Sequence, residues 1–301
     1  MTTSNLEEDK MADIKTESIY STIRNKAFKE IVSHFPIELK KKFAALKLLA
    51  NKRDVLRQQF DKEVCKIEEE YEAALIPLYK CREEIINGKS DPRPEELITL
   101  SQYTSMSKKV PKGINMKELE ETKGVPGFWL RVFQNCKKIK DFIQPKDVPI
   151  LKYLTNVSKV QKSKFSYEVV FTFAPNEYFS NSDLTKLVVM DPDDPDDCLE
   201  TKGTTINWKE NKDITKRIVT IKRRHKKTKE VKEEAKIVES ASFFNYFNTR
   251  KSPYDLDIES IEEQERAEEV FEDEIRISET IWQDLIPEAL LYYFDIAENT
   301  D

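Results

Sequence analysis

The feature that most constrains the fold is a segment of about fifty residues, from Glu38 to Gly88, without an internal glycine. Its apolar residues recur mostly at steps of three and four, which is the spacing of one face of an α-helix. At 1.5 Å per residue such a helix is about 75 Å long, roughly twice the width of a compact domain. Because the same chain cannot cover that whole face, the segment predicts a homodimer.

The predicted dimer interface is the apolar face of this helix. Pro77 lies inside it and lacks a backbone N–H, so we expect a kink or a break there. Asn87 and Gly88, followed by Pro92 and Pro94, are typical of a helix end. The residues assigned to the interface are Leu39, Phe43, Leu46, Leu56, Phe60, Val64, Ile67, Tyr71, Leu75 and Leu78.

The pattern along the chain predicts four segments. A partly disordered N-terminal segment covers residues 1–37, and the long dimerisation helix covers residues 38–88. A polar accessory segment, residues 89–123, carries two short helical patterns, Glu95–Tyr103 and Met116–Thr122. An α+β domain follows at residues 124–301.

The α+β assignment depends on a change of period after residue 124. Pro126 and Gly127 precede an apolar run, Phe128–Phe133, that suits a short buried helix. Segments with alternating or β-branched residues then predict an antiparallel meander and a hairpin, with helices on one side from Ile258 onward. The predicted strands are Phe165–Phe173, Leu184–Met190, Thr204–Trp208, Ile214–Ile221 and Ala235–Val238.

Charge is distributed unevenly. The net charge is −6, but Asp255–Asp301 has 17 acidic and two basic residues, a local net of −15, which leaves +9 elsewhere. The negative field of the Asp255–Asp301 segment attracts cationic proteins and repels nucleic acid. The alternative is that these acids only keep a helix end soluble. A second acidic tract, Asp191–Asp197, is interrupted by prolines and predicts a loop, and it lacks the spacing of an EF-hand calcium loop.

No pattern of an enzyme site is present. His34 lies beside a Phe-Pro pair and His225 lies in a basic run, so neither is typical of a general base. Phosphate-binding, nucleophile-elbow and zinc-protease motifs are missing, and there are only 5 glycines. Four separated cysteines favour neither a zinc site nor disulfides. We expect a soluble, non-secreted protein without metal or cofactor, since no signal peptide or membrane span is evident.

Several segments, in order, resemble the nucleosome assembly protein family, which includes SET-type chaperones. The first, Gly124–Asn135, resembles the family pattern G-[IV]-P-x-F-W-x-x-[VA]-[FL]-x-N, and Phe171–Asn181 with Leu184–Lys186 resembles F-x-F-x-x-N-x-[YF]-F-x-N…L-x-K. The further matching segments are Pro149–Leu154, Ile206–Lys209, Ser242–Phe247 and Ile286–Phe294.

The resemblance implies an antiparallel pairing of the long helix with that of a second copy. It also implies a four-stranded sheet over helices that offers a concave surface to core histones, both the outer dimers and the central tetramer of the nucleosome. Assembly without ATP and shuttling between nucleus and cytoplasm would follow. Many relatives end in a long acidic tail, whereas this sequence stops at Asp301, so the tail is expected to be short or truncated.

Two further sites are predicted. A nuclear-import signal, read by importin, is assigned to the basic run near the hairpin tip: Lys222, Arg223, Arg224, Lys226, Lys227 and Lys229. A plain solvated turn is its alternative. The residues assigned to histone binding are Asp191, Asp193, Asp194, Asp196, Asp197, Glu259, Glu262, Glu263, Glu268, Glu269, Glu272, Asp273 and Glu274.

Three other functions remain as alternatives to a histone chaperone. The first is an acidic coiled-coil interaction scaffold without histone specificity. The second is a nucleic-acid-binding module that uses Lys222–Lys229 and Lys108-Lys109, which is disfavoured because stacking aromatics are not interleaved with these cations. An enzyme is the third.

Overall fold

The structure is a computed structural model that describes residues 24–97, 123–192, 194, 197–224, 231–258 and 260–297. It contains two compact units, one up to Leu78 and one from Tyr79 onward. Among the described residues, no helix is long and apolar enough to cross a membrane.

Helix α1 spans Ile37–Ile86; its residues up to Leu78 belong to the first unit and the rest to the second. The sequence predicted a long helix over residues 38–88, and the observed bounds differ from it by one residue at the start and two at the end. Of the two alternatives expected at Pro77, a kink or a break, the break is wrong, because the helix continues through this residue. A helix this long has many other hydrogen bonds, so the loss of one amide donor does not end it.

Helix α1 ends where the chain returns from the accessory segment. Gly88 has φ +63° and Gly124 has φ +73°, and the Val125 amide donates to the Ile86 carbonyl at 2.7 Å. A Cβ on Gly124 would lie 2.2 Å from that carbonyl oxygen, so only glycine allows the two stretches to approach this closely. Most of the accessory segment, including both predicted helix patterns beyond Leu97, lies outside the described residues.

The second unit is built on an antiparallel sheet. Its strands are β1 (Leu154–Ser163), β2 (Ser166–Phe173), β3 (Asp183–Met190), β4 (Cys198–Gly203) and β7 (Arg250–Lys251), in that spatial order. Strands β5 (Lys216–Arg224) and β6 (Val231–Glu239) form a separate hairpin. The predicted α+β class and antiparallel sheet are confirmed, and β7 adds a two-residue fifth strand at one edge.

One strand prediction needs correction, and strand β1 was not among the predicted strands. Thr204–Trp208 is not a strand, since the pairing partner of β3 ends at Gly203 and only Trp208 forms an isolated bridge, to Phe179. Strand β1 was not predicted from the sequence, because its second half is polar and the alternation of apolar and polar residues is weak there. Pairing with β2, rather than burial of its own side chains, holds that half in the sheet.

Five helices named here, four of them short, cover one face of this sheet. They are α2 (Phe128–Asn135), α3 (Lys137–Lys140), α4 (Val148–Leu151), α5 (Ile261–Thr280) and α6 (Ala289–Tyr293). Phe171 of β2 lies at the centre of the core, where its ring meets Phe133 of α2 and Phe247 of the 3-10 helix Phe243–Phe247. Alternate β2 residues are buried, which is the period of a sheet covered on one face.

A buried carboxylate fixes the aromatic 3-10 helix to the core. Asp147 accepts hydrogen bonds from the Ser242 hydroxyl at 2.6 Å, the Phe243 amide at 2.8 Å and the Gln144 amide at 2.8 Å. A buried charge is tolerated when several donors surround it in this way. The segment after the β5–β6 hairpin is thereby held against the start of α4.

Candidate functional site

Helix α5 presents an acidic face to solvent. Of its 20 residues, nine are acidic and two are basic. Phe271, Ile277 and Ser278 are buried against the sheet, whereas a row of carboxylates on the other side is exposed. The exposed carboxylates that share the three-to-four residue spacing of that side are Glu262, Glu265, Glu269, Glu272 and Glu279, which we call the acidic row.

Two residues of the acidic row, Glu265 and Glu279, were not predicted from the sequence. The signal was present in the spacing, because both lie three or seven residues from a predicted site residue. The acid content of a segment does not by itself separate the two faces of a helix, and this is why the two residues were omitted. Glu263 is also exposed, but it lies beside the row and not on it.

The prediction that Glu274 contacts histones needs correction. Glu274 is buried, and its Oε2 accepts from Lys186 Nζ at 2.6 Å and from the Thr201 hydroxyl at 3.2 Å. Its Oε1 accepts from Arg250 Nε at 2.7 Å. Both oxygens are occupied inside the protein, so Glu274 attaches α5 to the sheet and presents no charge to a partner.

Lys186 completes this buried ion network. Its side chain is fully buried, and Nζ also donates to the Asn248 carbonyl at 2.7 Å. Burial lowers the pKa of Lys186, and the neighbouring Glu274 partly offsets that effect. Lys186, Glu274 and Arg250 therefore join strands β3 and β7 to α5, and they fix where the acidic row lies.

Two other predicted residues of α5 are half-buried. Glu268 accepts from Gln264 Nε2 at 2.7 Å, and Asp273 forms an ion pair with Arg276. Partial burial raises the pKa of Asp273; Glu269 acts in the same direction, and Arg276 opposes the shift. These two carboxylates are partly committed to their own helix, so the charge offered to a partner is concentrated in the acidic row.

The Asp191–Asp197 loop closes the β3–β4 hairpin. The Asp191 amide donates to the Asp197 carbonyl, and the Asp197 amide to the Asp194 carbonyl, each at 2.9 Å. Asp197 Oδ1 accepts from the Cys198 amide at 2.8 Å. Cys198 packs with Val188 and Phe271 in one apolar cluster, so the structure brings the base of this loop to α5. Asp193, Asp196 and Glu259 lie outside the described residues.

The predicted interface residues of α1 lie along one helix, and many of their side chains are exposed in the single chain. Leu56, Phe60 and Ile67 are 65%, 58% and 63% exposed. Large apolar side chains rarely remain in water at this density on one helix. Within the part of the chain that the structure describes, these exposed side chains form an apolar stripe that no other segment covers.

The predicted import signal is only partly described. Lys222, Arg223 and Arg224 are the last residues of β5, where their backbones pair with Glu233, Lys232 and Val231. Lys226, Lys227 and Lys229 lie outside the described residues. Lys146 binds the two chain segments at the base of the β5–β6 hairpin. Its Nζ donates to the Ile214 carbonyl and to the Ser240 hydroxyl, each at 2.6 Å.

Comparison with protein families gives one match that spans most of the chain. Residues 41–296 match the sequence profile described as "Nucleosome assembly protein (NAP)". The chain belongs to the nucleosome assembly protein family. Among its relatives, "Nucleosome assembly protein 1-like 1-A" of Xenopus laevis is 31% identical, over 90% of this chain and 72% of the relative. "Nucleosome assembly protein 1-like 1" of Homo sapiens is 32% identical over 90% and 73%.

Solved structures of the nucleosome assembly protein family agree with this fold. "Nucleosome Assembly Protein 1 from Plasmodium knowlesi" aligns with a TM-score of 0.63 and 26% identity, over 87% of this chain and 99% of that chain. A malaria parasite "Nucleosome Assembly Protein (NAP)" aligns with a TM-score of 0.59 and 24% identity, over 88% and 100%. The resemblance stated from the sequence motifs is thereby confirmed at the level of family and fold.

Proposed function

We propose that this protein is a histone chaperone that binds core histones and acts in nucleosome assembly and histone transport. The observation that carries the proposal is the acidic row of α5, held in place by the buried Lys186–Glu274–Arg250 network in a member of the nucleosome assembly protein family. Free histones are basic and bind DNA phosphates largely without regard to sequence. A fixed acidic surface competes with those contacts and so prevents premature association with DNA.

The proposed mechanism is reversible charge masking, with no catalytic step and no nucleotide. Many weak, exposed charge contacts give fast capture that depends on salt, and they still permit transfer to DNA. Each exposed carboxylate acts within about 8 Å at physiological ionic strength, so carboxylates fixed on one helix face add their fields at the same place, whereas carboxylates spread along a mobile chain do not. The Asp191–Asp197 loop would extend this surface.

The first test removes charge from the acidic row. Replacement of Glu262, Glu265, Glu269 and Glu272 by glutamine should weaken core-histone binding by about 2 kcal/mol, or roughly 30-fold, at ~0.15 M salt. The matched control makes four glutamine substitutions at exposed positions of α1, namely Glu63, Glu68, Glu69 and Glu70. Titration with fluorescent histones would measure both variants.

Equal losses of histone affinity in the two variants would show that the protein acts as a diffuse polyanion. They would refute a binding surface localised at the acidic row. Polylysine serves as a second ligand, because an acidic scaffold without histone specificity would bind it as well as it binds histones of similar charge. A clear preference for folded histones over polylysine supports the chaperone.

We also propose that α1 forms the homodimer interface, and that two acidic rows then act on one histone assembly. The exposed apolar stripe supports this, because pairing with a second α1 would remove it from water. Replacement of Phe60 and Ile67 together by aspartate should give monomers in sedimentation experiments at micromolar concentration. A dimer of unchanged stability in that variant would refute the interface.

Localisation in both nucleus and cytoplasm, with importin as the receptor, is a further proposal. Replacement of Lys222, Arg223, Arg224, Lys226 and Lys227 by alanine should move a fluorescent fusion out of the nucleus while histone binding in vitro persists. An unchanged distribution in cells would refute the import signal.

A further inference from the structure

Three large apolar side chains are exposed immediately before and at the start of α5. Tyr254 is 73% exposed, Leu256 is 44% exposed and Ile261 is 76% exposed. They occur within eight residues of the chain, at the end of the molecule that carries the greatest acidic charge. Single exposed apolar residues are ordinary, whereas a group of them next to the acidic row is placed to contact whatever the acidic row binds.

The segment that carries these side chains is ordered by its own hydrogen bonds. Pro253 and Ser252 are buried, and the Ser252 amide donates to the Leu199 carbonyl of β4 at 2.8 Å. The Asp255 and Leu256 amides close the following turn on Ser252 and Pro253 at 3.0 and 3.2 Å. Tyr254 and Leu256 are therefore presented from a fixed turn, which lowers the entropy that binding would otherwise cost.

The same turn is attached to α5. Gln264 Nε2 donates to the Pro253 carbonyl at 3.3 Å, and Gln264 lies one helical turn after Ile261. The same Nε2 also donates to Glu268 Oε1 at 2.7 Å. The turn with Tyr254 and the first turn of α5 with Ile261 are thus parts of one local surface.

Carboxylates surround the apolar side chains. Asp255 and Asp257 alternate with Tyr254 and Leu256 along the chain, and Glu262 and Glu263 follow Ile261; all four acids are exposed. An occupant must therefore combine apolar and cationic groups. A second copy does not fit here, because two-fold pairing of this patch with itself would bring eight carboxylates together.

We propose that Tyr254, Leu256 and Ile261 form an apolar anchor that buries part of a histone surface beside the acidic row. This inference rests on the proposed histone-chaperone function and specifies how that site holds its partner. Aromatic side chains such as Tyr254 contribute strongly to binding free energy at interfaces, the two aliphatic chains add apolar area, and the surrounding carboxylates exclude like-charged competitors.

The anchor and the acidic row have different salt dependence. Salt screens the attraction of exposed carboxylates, so their contribution falls as ionic strength rises. Burial of apolar surface is not screened. Histone binding should therefore persist at salt concentrations where charge alone would release the histone, and the anchor should set the affinity that remains.

The test compares two triple serine variants of the full chain. The anchor variant is Tyr254→Ser, Leu256→Ser and Ile261→Ser. The control removes three other exposed apolar side chains of the same unit, Leu290, Phe294 and Ile296, which are 59%, 40% and 65% exposed. Affinity for fluorescent core histones is measured from about 0.1 to 0.5 M NaCl, with sedimentation to report the oligomeric state of each free protein.

The anchor variant should bind histones about 10- to 100-fold more weakly at every salt concentration. Its plot of log affinity against log salt should run parallel to that of the wild type. Glutamine substitutions in the acidic row should instead make that plot less steep. The control variant should bind like the wild type.

Four outcomes distinguish failure of the apolar anchor from failure of the proposed histone-chaperone function. Equal binding of anchor variant, control and wild type overturns the anchor while the proposed function stands. A changed oligomeric state of the anchor variant also overturns it, because the occupant is then a second copy. Wild-type protein that fails to bind histones overturns the proposed function itself. If the triple variant unfolds by circular dichroism, Ile261→Ser alone is used, and a loss below twofold overturns the anchor.

Discussion

Replacing Glu274 by glutamine tests the buried ion network most directly. The side chain keeps its shape but loses the charge that faces Lys186, whose own side chain is fully buried. Removing one partner of a buried ion pair costs about 3–5 kcal/mol of unfolding free energy, since the other charge is left uncompensated. Arg250 is 32% exposed and can partly turn to water, so most of the loss should come from Lys186.

The loss of unfolding free energy has an upper bound, which is set by deprotonation of Lys186. Its amine can escape the penalty by releasing its proton, and for an ordinary lysine pKa of 10.5 this costs about 5 kcal/mol at pH 7. Without Glu274 the folded-state pKa of Lys186 falls further below that of the unfolded chain. The unfolded state then binds more protons, so stability rises with pH, by up to about 1.4 kcal/mol per pH unit.

Urea unfolding of wild type and Glu274→Gln at pH 7 and pH 9, at one protomer concentration, would measure both effects. The unfolding free energy of Glu274→Gln should be about 3–5 kcal/mol below that of the wild type at pH 7, and the difference should be smaller at pH 9. The double variant Lys186→Met with Glu274→Leu should recover most of it, because it removes both charges. The neighbouring exposed Glu272→Gln should cost within about 0.5 kcal/mol. A deficit for Glu274→Gln below about 1 kcal/mol at pH 7 would refute the reasoning.

Two further substitutions test the core of the second unit. Gly203→Ala should destabilise it strongly, because its Cβ would lie 1.7 Å from the Phe247 carbonyl oxygen, whereas Gly127→Ala, with open space around it, should cost only about 1 kcal/mol for its positive φ. Thermal unfolding would rank the two, and equal midpoints would contradict the close approach. Asp147→Ala should lower the unfolding free energy by about 2–4 kcal/mol, since it leaves buried donors at Ser242 and Phe243 unpaired, and a change below 0.5 kcal/mol in urea would contradict that role.

The elements with a strong period were predictable from the sequence. Helix α1 follows from fifty residues with three-to-four spacing and no glycine, and β2 follows from alternation in Phe165–Phe173. The acidic character of Ile261–Thr280 was equally visible. Strand β1 was not, because the signal that makes its polar half a strand is the presence of β2 beside it.

The sequence by itself determined the family, the long amphipathic helix, the α+β class and the sign of the charge near the C-terminus. The family follows from the resemblance of several motifs, and the other properties follow from periodicity and composition, which are local properties of the chain. Only the tertiary structure decided which acids are available to a partner. Glu274 and Glu272 are two residues apart with the same chemistry, yet one is buried between Lys186 and Arg250 and the other is exposed. The physical reason is that the direction in which α5 packs on the sheet is set by residues distant in sequence, on β3 and β7.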